Sequence, residues 1–191
     1  MVKILDNCCS PSYLDCLKGI ASNSENWNLI YPAGDDFPIE KKFLKLDIIN
    51  SDGVKHPFLA GLALGLLYQI HEAGGQGLFV PDIYFCGISI KDKHTTTNIH
   101  TDEKYHPDPN EPEKVVKILG IINSDWEEKW GGGFFHNGTS NYAKPTSFYI
   151  FDQLKPHACE EIFTDKKRIA IDFTVFRNQQ SLKRVQSWQW E

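Results

Sequence analysis

The second half of the chain is cut into short β-type runs by turn residues, and this limits the fold more than any other feature. Seven runs follow one another: Pro81–Ile90, Thr95–Glu103, Val115–Asn123, Gly132–His136, Thr146–Phe151, His157–Phe163 and Arg168–Phe176. Each is rich in β-branched and aromatic residues, which pack well on a pleated surface, and Gly, Pro, Asn or Asp punctuates the gaps. Aromatics make up 13% of the chain, and most of its 12 Phe and 5 Trp fall in this half. Many short strands at such spacing predict a sandwich, barrel or jelly roll.

The first 77 residues read differently. Ser10-Pro11 opens a helix, with serine as N-cap and proline in the first turn, where its missing N–H does no harm. Tyr13, Leu14, Leu17 and Ile20 or Ala21 then recur at helical spacing, with Cys16 beside that face as a small hydrophobe. Trp27–Tyr31 predicts a short strand and Pro32–Pro38 a loop, while residues 40–50 show no clear period. Phe58–Ala73 is apolar nearly all round, the mark of a buried helix, and Gly74-Gly75 supplies its stop. Helices first and strands afterwards predict a mainly β (α+β) chain: a double-stranded β-helix (jelly roll, cupin-like) with N-terminal helices packed on the outside. A length of 191 residues suits one domain. Residues 1–77 form its support and 78–177 its core. The tail, 178–191, carries Trp188 and Trp190 and is a candidate for docking or self-association. Nothing in the sequence sets an oligomeric state.

Composition excludes several function classes. A net charge of −5 leaves no basic footprint for nucleic acid or an anionic membrane. The five cysteines are odd in number and form no CxxC pair, so neither a disulfide framework nor a cysteine zinc site is expected. The most apolar run, Pro57–Ile70, is too short for a bilayer, which needs about 20 residues, and Met1–Ser10 has no signal-peptide core. A cytoplasmic protein is expected.

The chemistry-bearing residues lie among the strands. His100 and Asp102 stand two apart, so on a strand both side chains point to one face. Alone this is weak: with seven histidines, chance supplies such a triplet roughly 0.4 times. His157, at the start of a later strand, adds a second imidazole, and a closed fold can bring it alongside. Two imidazoles and a carboxylate on one side of a metal are the ligand set of non-haem Fe(II) oxygenases. Arg168, 11 residues beyond His157, heads the strongest β-run and can grip a carboxylate through two parallel N–H···O bonds. His94, His106 and His136 are weaker ligand candidates, and His56 and His71 suit helix ends. Trp126 and Trp130 suit either a pocket floor or a core. The proline-rich loop 106–112 is a candidate substrate lid.

Taken together, these residues resemble the Fe(II)/2-oxoglutarate-dependent oxygenases, and within them the prolyl-4-hydroxylase-like branch. The resemblance spans about 82–176. It rests on His100-Thr101-Asp102, His157 and Arg168, on the run Ile121–Gly132 with its Trp130-Gly131-Gly132 segment, and on Arg168-Ile169-Ala170-Ile171. It implies that His100, Asp102 and His157 hold Fe(II) and that Arg168 binds the distal carboxylate of 2-oxoglutarate. O₂ is then the oxidant, ascorbate a candidate reductant, and the products are succinate, CO₂ and a hydroxylated carbon. The branch often carries a tyrosine three residues before the first histidine to help hold 2-oxoglutarate. Here Thr97 stands there, leaving Tyr84, Thr97 or Asn98 for that hydrogen bond. Asp102 is intact where halogenating relatives have a small residue, which implies hydroxylation or demethylation.

The substrate class implied is a peptide, proline included, or a small molecule. Two rivals stand beside this reading. One is a non-catalytic jelly-roll module with a decayed or structural metal site, against which the intact triad and arginine argue. The other is a nucleic-acid demethylase of the same superfamily. Its R-x5-R pattern is not met, because eight residues separate Arg168 from Arg177, and the acidic balance also disfavours it.

Overall fold

The fold comes from a computed structural model, which describes residues 2–30, 43–103, 107, 110–142 and 144–179. In chain order the elements are β1 (Lys3–Leu5), α1 (Pro11–Ser22), β2 (Asn28–Ile30), β3 (Phe43–Asn50), β4 (Gly53–Val54), α2 (Pro57–Ile70), β5 (Ile83–Lys91), β6 (Val115–Ile121), β7 (Phe134–His136), β8 (Thr139–Asn141), β9 (Phe148–Phe151), β10 (His157–Cys159) and β11 (Arg168–Phe176). They form two antiparallel sheets. The larger runs β1-β9-β6-β11-β5-β3-β2, with β4 hung on β3, and the smaller runs β10-β7-β8. Strands from the first 50 residues therefore extend the same sheet as β5 and β11.

Strand alternation decides what each face of the large sheet does. On β11, Ile169, Ile171, Phe173 and Val175 join Ile88 of β5 and Ile118 of β6 in the main core, together with Leu14 and Leu17 of α1 and Leu66 and Leu67 of α2. Full burial of such a side chain is worth about 1.5–3 kcal/mol, so this layer holds the helices against the outer face. The alternate residues, Arg168, Ala170 and Asp172, line a cavity on the inner face, towards the small sheet.

Both helices start and stop as expected. Ser10 Oγ accepts the Tyr13 N–H at 3.2 Å, and α2 ends in a single wide turn, His71–Gly75, in which Gly74 takes φ +132°. Two expectations are corrected. Helix α2 is not buried all round: Phe58 is 69% and Tyr68 50% exposed, because one layer of helix on a sheet covers only the sheet-facing side. Cys16 is exposed. The ambiguous stretch 40–50 contains strand β3.

The largest difference concerns Thr95–Glu103, expected as a strand. It makes one bridge, between His100 and His157. Thr96 Oγ1 donates to the Cys159 carbonyl at 2.8 Å and Thr97 Oγ1 accepts the Cys159 N–H at 2.7 Å. Threonine side chains thus compete with ladder bonds, and the segment runs along β10 without becoming regular. The Pro32–Pro38 loop, His106, residues 108–109 of the expected lid, and the tail from residue 180 with Trp188 and Trp190 lie outside the described residues. Among the described residues no helix is long and apolar enough to cross a membrane.

Candidate metal centre

His100 and His157 exchange two main-chain hydrogen bonds, His100 N–H to His157 O at 3.0 Å and His157 N–H to His100 O at 2.9 Å. That reciprocal pair puts the two imidazoles side by side, with ring centroids 4.5 Å apart. Asp102 reaches the same place because its N–H is held by the Gln153 carbonyl at 3.0 Å. Its Oδ1 lies 3.6 Å from His100 Nε2 and its Oδ2 3.5 Å from His157 Nε2. One donor atom from each residue falls within 4.8 Å of the others.

The rings are oriented by the backbone. His100 Nδ1 donates to the Asn98 carbonyl at 2.7 Å and His157 Nδ1 to the Lys155 carbonyl at 2.9 Å. A carbonyl can only accept, so each Nδ1 carries the hydrogen and each Nε2 turns a lone pair to the centre, as metal-ligating histidines require. Burial lowers the His100 pKa, which favours the neutral imidazole that a metal needs. Phe151 and Phe134 wall His157 at centroid distances of 5.1 and 6.3 Å. Two neutral imidazole nitrogens and one carboxylate on one side fit Fe(II), with the other positions facing the cavity.

The cavity holds about 230 Å³, on the order of eight water volumes, and is lined by all three donors, Thr97, Asn98 and Arg168. Arg168 is 2% exposed, and its Nε donates to the Gly132 carbonyl at 2.7 Å. The tryptophan-glycine segment serves that placement. Gly132 has φ +67°, and a Cβ there would stand 2.6 Å from Arg168 Cδ. Trp126 Nε1 donates to the Gly131 carbonyl at 3.0 Å and its ring meets Trp130 edge-on at 5.4 Å. Both tryptophans belong to a small core with Ile121, Ile162 and Ala170, not to the cavity floor.

Besides Lys91 of β5, three residues of this region escaped the sequence reading. Lys117, buried at the cavity, donates to Asp102 at 2.7 Å and to Asp172 at 2.8 Å. Burial opposes its charge, yet the two carboxylates hold its pKa above the ordinary lysine value. For Asp102, burial raises the pKa, but Lys117 and His157 outweigh it and keep the carboxyl well below the usual range. The signal was a lone lysine inside the apolar run Val115–Ile121 and a lone aspartate inside Arg168–Phe176. Asn123 is the third. Its Oδ1 accepts the Ile169 N–H at 2.7 Å and its Nδ2 donates to the Lys167 carbonyl at 3.0 Å, so it clamps the backbone on both sides of Arg168.

Other sequence candidates lie elsewhere. Tyr84 packs edge-on against Phe176 where a β-bulge shifts the β5–β11 register, and it does not line the cavity. His136 is buried, with Nε2 3.3 Å from the Asp152 carbonyl, and His94 pairs with Glu161 at 2.9 Å on the surface. His71 packs against Phe79 at the end of α2.

No protein-family model matches the sequence, and no curated protein does. Solved structures do match. An oxidoreductase of the 2OG-Fe(II) oxygenase family from Burkholderia pseudomallei superposes with a TM-score of 0.68 at 11% identity, covering 93% of this chain and 85% of that one. A prolyl hydroxylase from Trichoplax adhaerens, solved with a hypoxia inducible factor peptide fragment, gives 0.60 at 13%, covering 95% and 86%. SnoN, a non-heme alpha ketoglutarate dependent epimerase from nogalamycin biosynthesis, gives 0.69 at 9%, covering 92% and 78%. The chain thus has the jelly-roll fold of the 2-oxoglutarate- and Fe(II)-dependent oxygenases, prolyl hydroxylases among them.

Proposed function

We propose that this chain is an Fe(II)- and 2-oxoglutarate-dependent dioxygenase that hydroxylates a carbon centre, either in a peptide residue such as proline or in a small molecule, with release of succinate and CO₂. The observation that carries this reading is the convergence of His100, Asp102 and His157 within 4.8 Å in a cavity that also holds Arg168. These three residues would hold Fe(II), and Arg168 would take the distal carboxylate of 2-oxoglutarate as a bidentate pair. With 2-oxoglutarate and O₂, bound iron supplies the oxidising power for an unactivated carbon. The protein's own part is orientation and shielding. The Asn98 and Lys155 carbonyls fix the imidazoles, Lys117 fixes the carboxylate, and Phe134 and Phe151 keep water from the His157 side. The five free cysteines fit a reducing compartment, and we place the protein in the cytoplasm.

The test begins without oxygen. Fe(II) and 2-oxoglutarate added together are expected to give a visible charge-transfer band, and air with ascorbate then gives succinate in step with O₂ consumed. Absence of both signals would leave a non-catalytic jelly-roll module. A screen of peptides and amino acids for a mass gain of one oxygen identifies the substrate class.

A further inference from the structure

Arg168 and Lys91 stand directly opposite each other where β11 pairs with β5. Cross-strand partners point the same way with Cβ atoms about 5 Å apart, and both side chains line the cavity. Both are buried, Arg168 at 2% and Lys91 at 7% exposure. Like charges so placed repel, and each has lost its hydration. A purely structural arrangement would compensate with a carboxylate. Among the described residues there is none. Among the described residues the Lys91 side chain makes no hydrogen bond or ion pair, its ammonium resting 4.5 Å from the Phe43 ring centroid, and the Arg168 side chain donates only through Nε to Gly132. The two carboxylates that line the cavity are Asp102 and Asp172, and Lys117 engages both.

We infer that Lys91 is a second cation for the distal carboxylate of 2-oxoglutarate, shared with Arg168. The inference rests on the function proposed above. A carboxylate presents about four lone-pair directions: the guanidinium takes two in parallel, and the ammonium takes another. The anion relieves the repulsion that the empty pair suffers. Burial, reinforced by Arg168, holds the Lys91 pKa below the ordinary lysine value, and a bound carboxylate shifts it back up. The hydrogen bond that the related enzymes take from a tyrosine, expected here from Tyr84, Thr97 or Asn98, is thereby replaced by an ion pair.

Calorimetric titration of the Mn(II)-loaded protein tests this with two ligands, 2-oxoglutarate and 2-oxopentanoate. The second has the same chelating head and a methyl group in place of the distal carboxylate. The wild type is expected to prefer 2-oxoglutarate. Lys91→Met weakens 2-oxoglutarate about ten-fold or more, the worth of one charged hydrogen bond, and leaves 2-oxopentanoate unchanged, which also reports an intact fold. Lys91→Arg recovers most of the loss. Equal 2-oxoglutarate affinity in the wild type and Lys91→Met overturns the inference and gives the ammonium to an anionic substrate. Equal losses of both ligands overturn it as well, since that marks a packing role. A wild type that does not discriminate between the two acids overturns the function proposed for Arg168, whatever Lys91 does.

Discussion

Lys117 meets Asp102 at 2.7 Å and Asp172 at 2.8 Å, so the carboxylate proposed as a metal ligand is anchored by a buried ammonium with a second anchor behind it. Removing one partner of a buried pair strands the other as an uncompensated charge. Lys117→Met strands two carboxylates, and the expected loss is about 3–5 kcal/mol of unfolding free energy, measured by urea denaturation. Divalent metal offsets part of this loss because it takes up Asp102. The deficit is therefore larger in EDTA than with Mn(II), and adding Asp172→Asn to Lys117→Met recovers stability.

Gly132 is needed both for its left-handed backbone and for its missing Cβ, which would stand 2.6 Å from Arg168 Cδ. Gly132→Ala is expected to cost about 1–3 kcal/mol and to push the guanidinium off its Gly132 carbonyl. Thermal melting reads the first effect. A weaker grip on 2-oxoglutarate with unchanged Mn(II) affinity reads the second.

Asn123 holds the main chain on either side of Arg168 through the Lys167 carbonyl and the Ile169 N–H. Asn123→Ala leaves two backbone groups unpaired, at roughly 2 kcal/mol in all. Loss of 2-oxoglutarate affinity without loss of metal, in the same titration, would separate this effect from general destabilisation.

Metal binding should stabilise the fold by mass action, about 2.7 kcal/mol at a hundred-fold excess over Kd, which for a chain of this length raises Tm by roughly 5–10 °C. In His157→Ala the rise is expected to vanish, because two donors remain on a site built for three. A full rise in that variant would move the metal elsewhere.

The Lys91 pKa lies below its unfolded value, chiefly through burial. Between the folded pKa and the unfolded value near 10.4, the unfolded chain binds the extra proton, so stability from this group rises with pH. Lys117 acts the other way but in a higher window, since its folded pKa is raised and its contribution is lost only above about 10.4. Melting the ligand-free protein from pH 7 to 10 should show Lys91→Met more stable than the wild type at the low end, with the gap closing as pH rises.

Much of the centre was legible in the chain because it depends on strand residues with fixed alternation. His100, Asp102 and His157 come together as their spacing suggested, and β11 begins and ends at the expected residues. Thr95–Glu103 misled because its threonine side chains satisfy main-chain groups that a ladder would otherwise use. Lys117, Asp172 and Lys91 were invisible for another reason. A single charge in an apolar β-run reads equally as a solvated face or a buried ion pair, and only the facing strand decides which. Tyr84 misled because a β-bulge near the start of β5 breaks the alternation there and sets the ring against Phe176.

On β11 the greasy residues Ile169, Ile171, Phe173 and Val175 alternate with Arg168, Ala170 and Asp172. A slip of one position in pairing would send the arginine and aspartate under the helices and the isoleucines into the cavity. Both faces would fail in the same stroke. The strand is therefore proofread from two sides during folding, and a chain that reaches a stable core has, by the same act, delivered its charges to the cavity side.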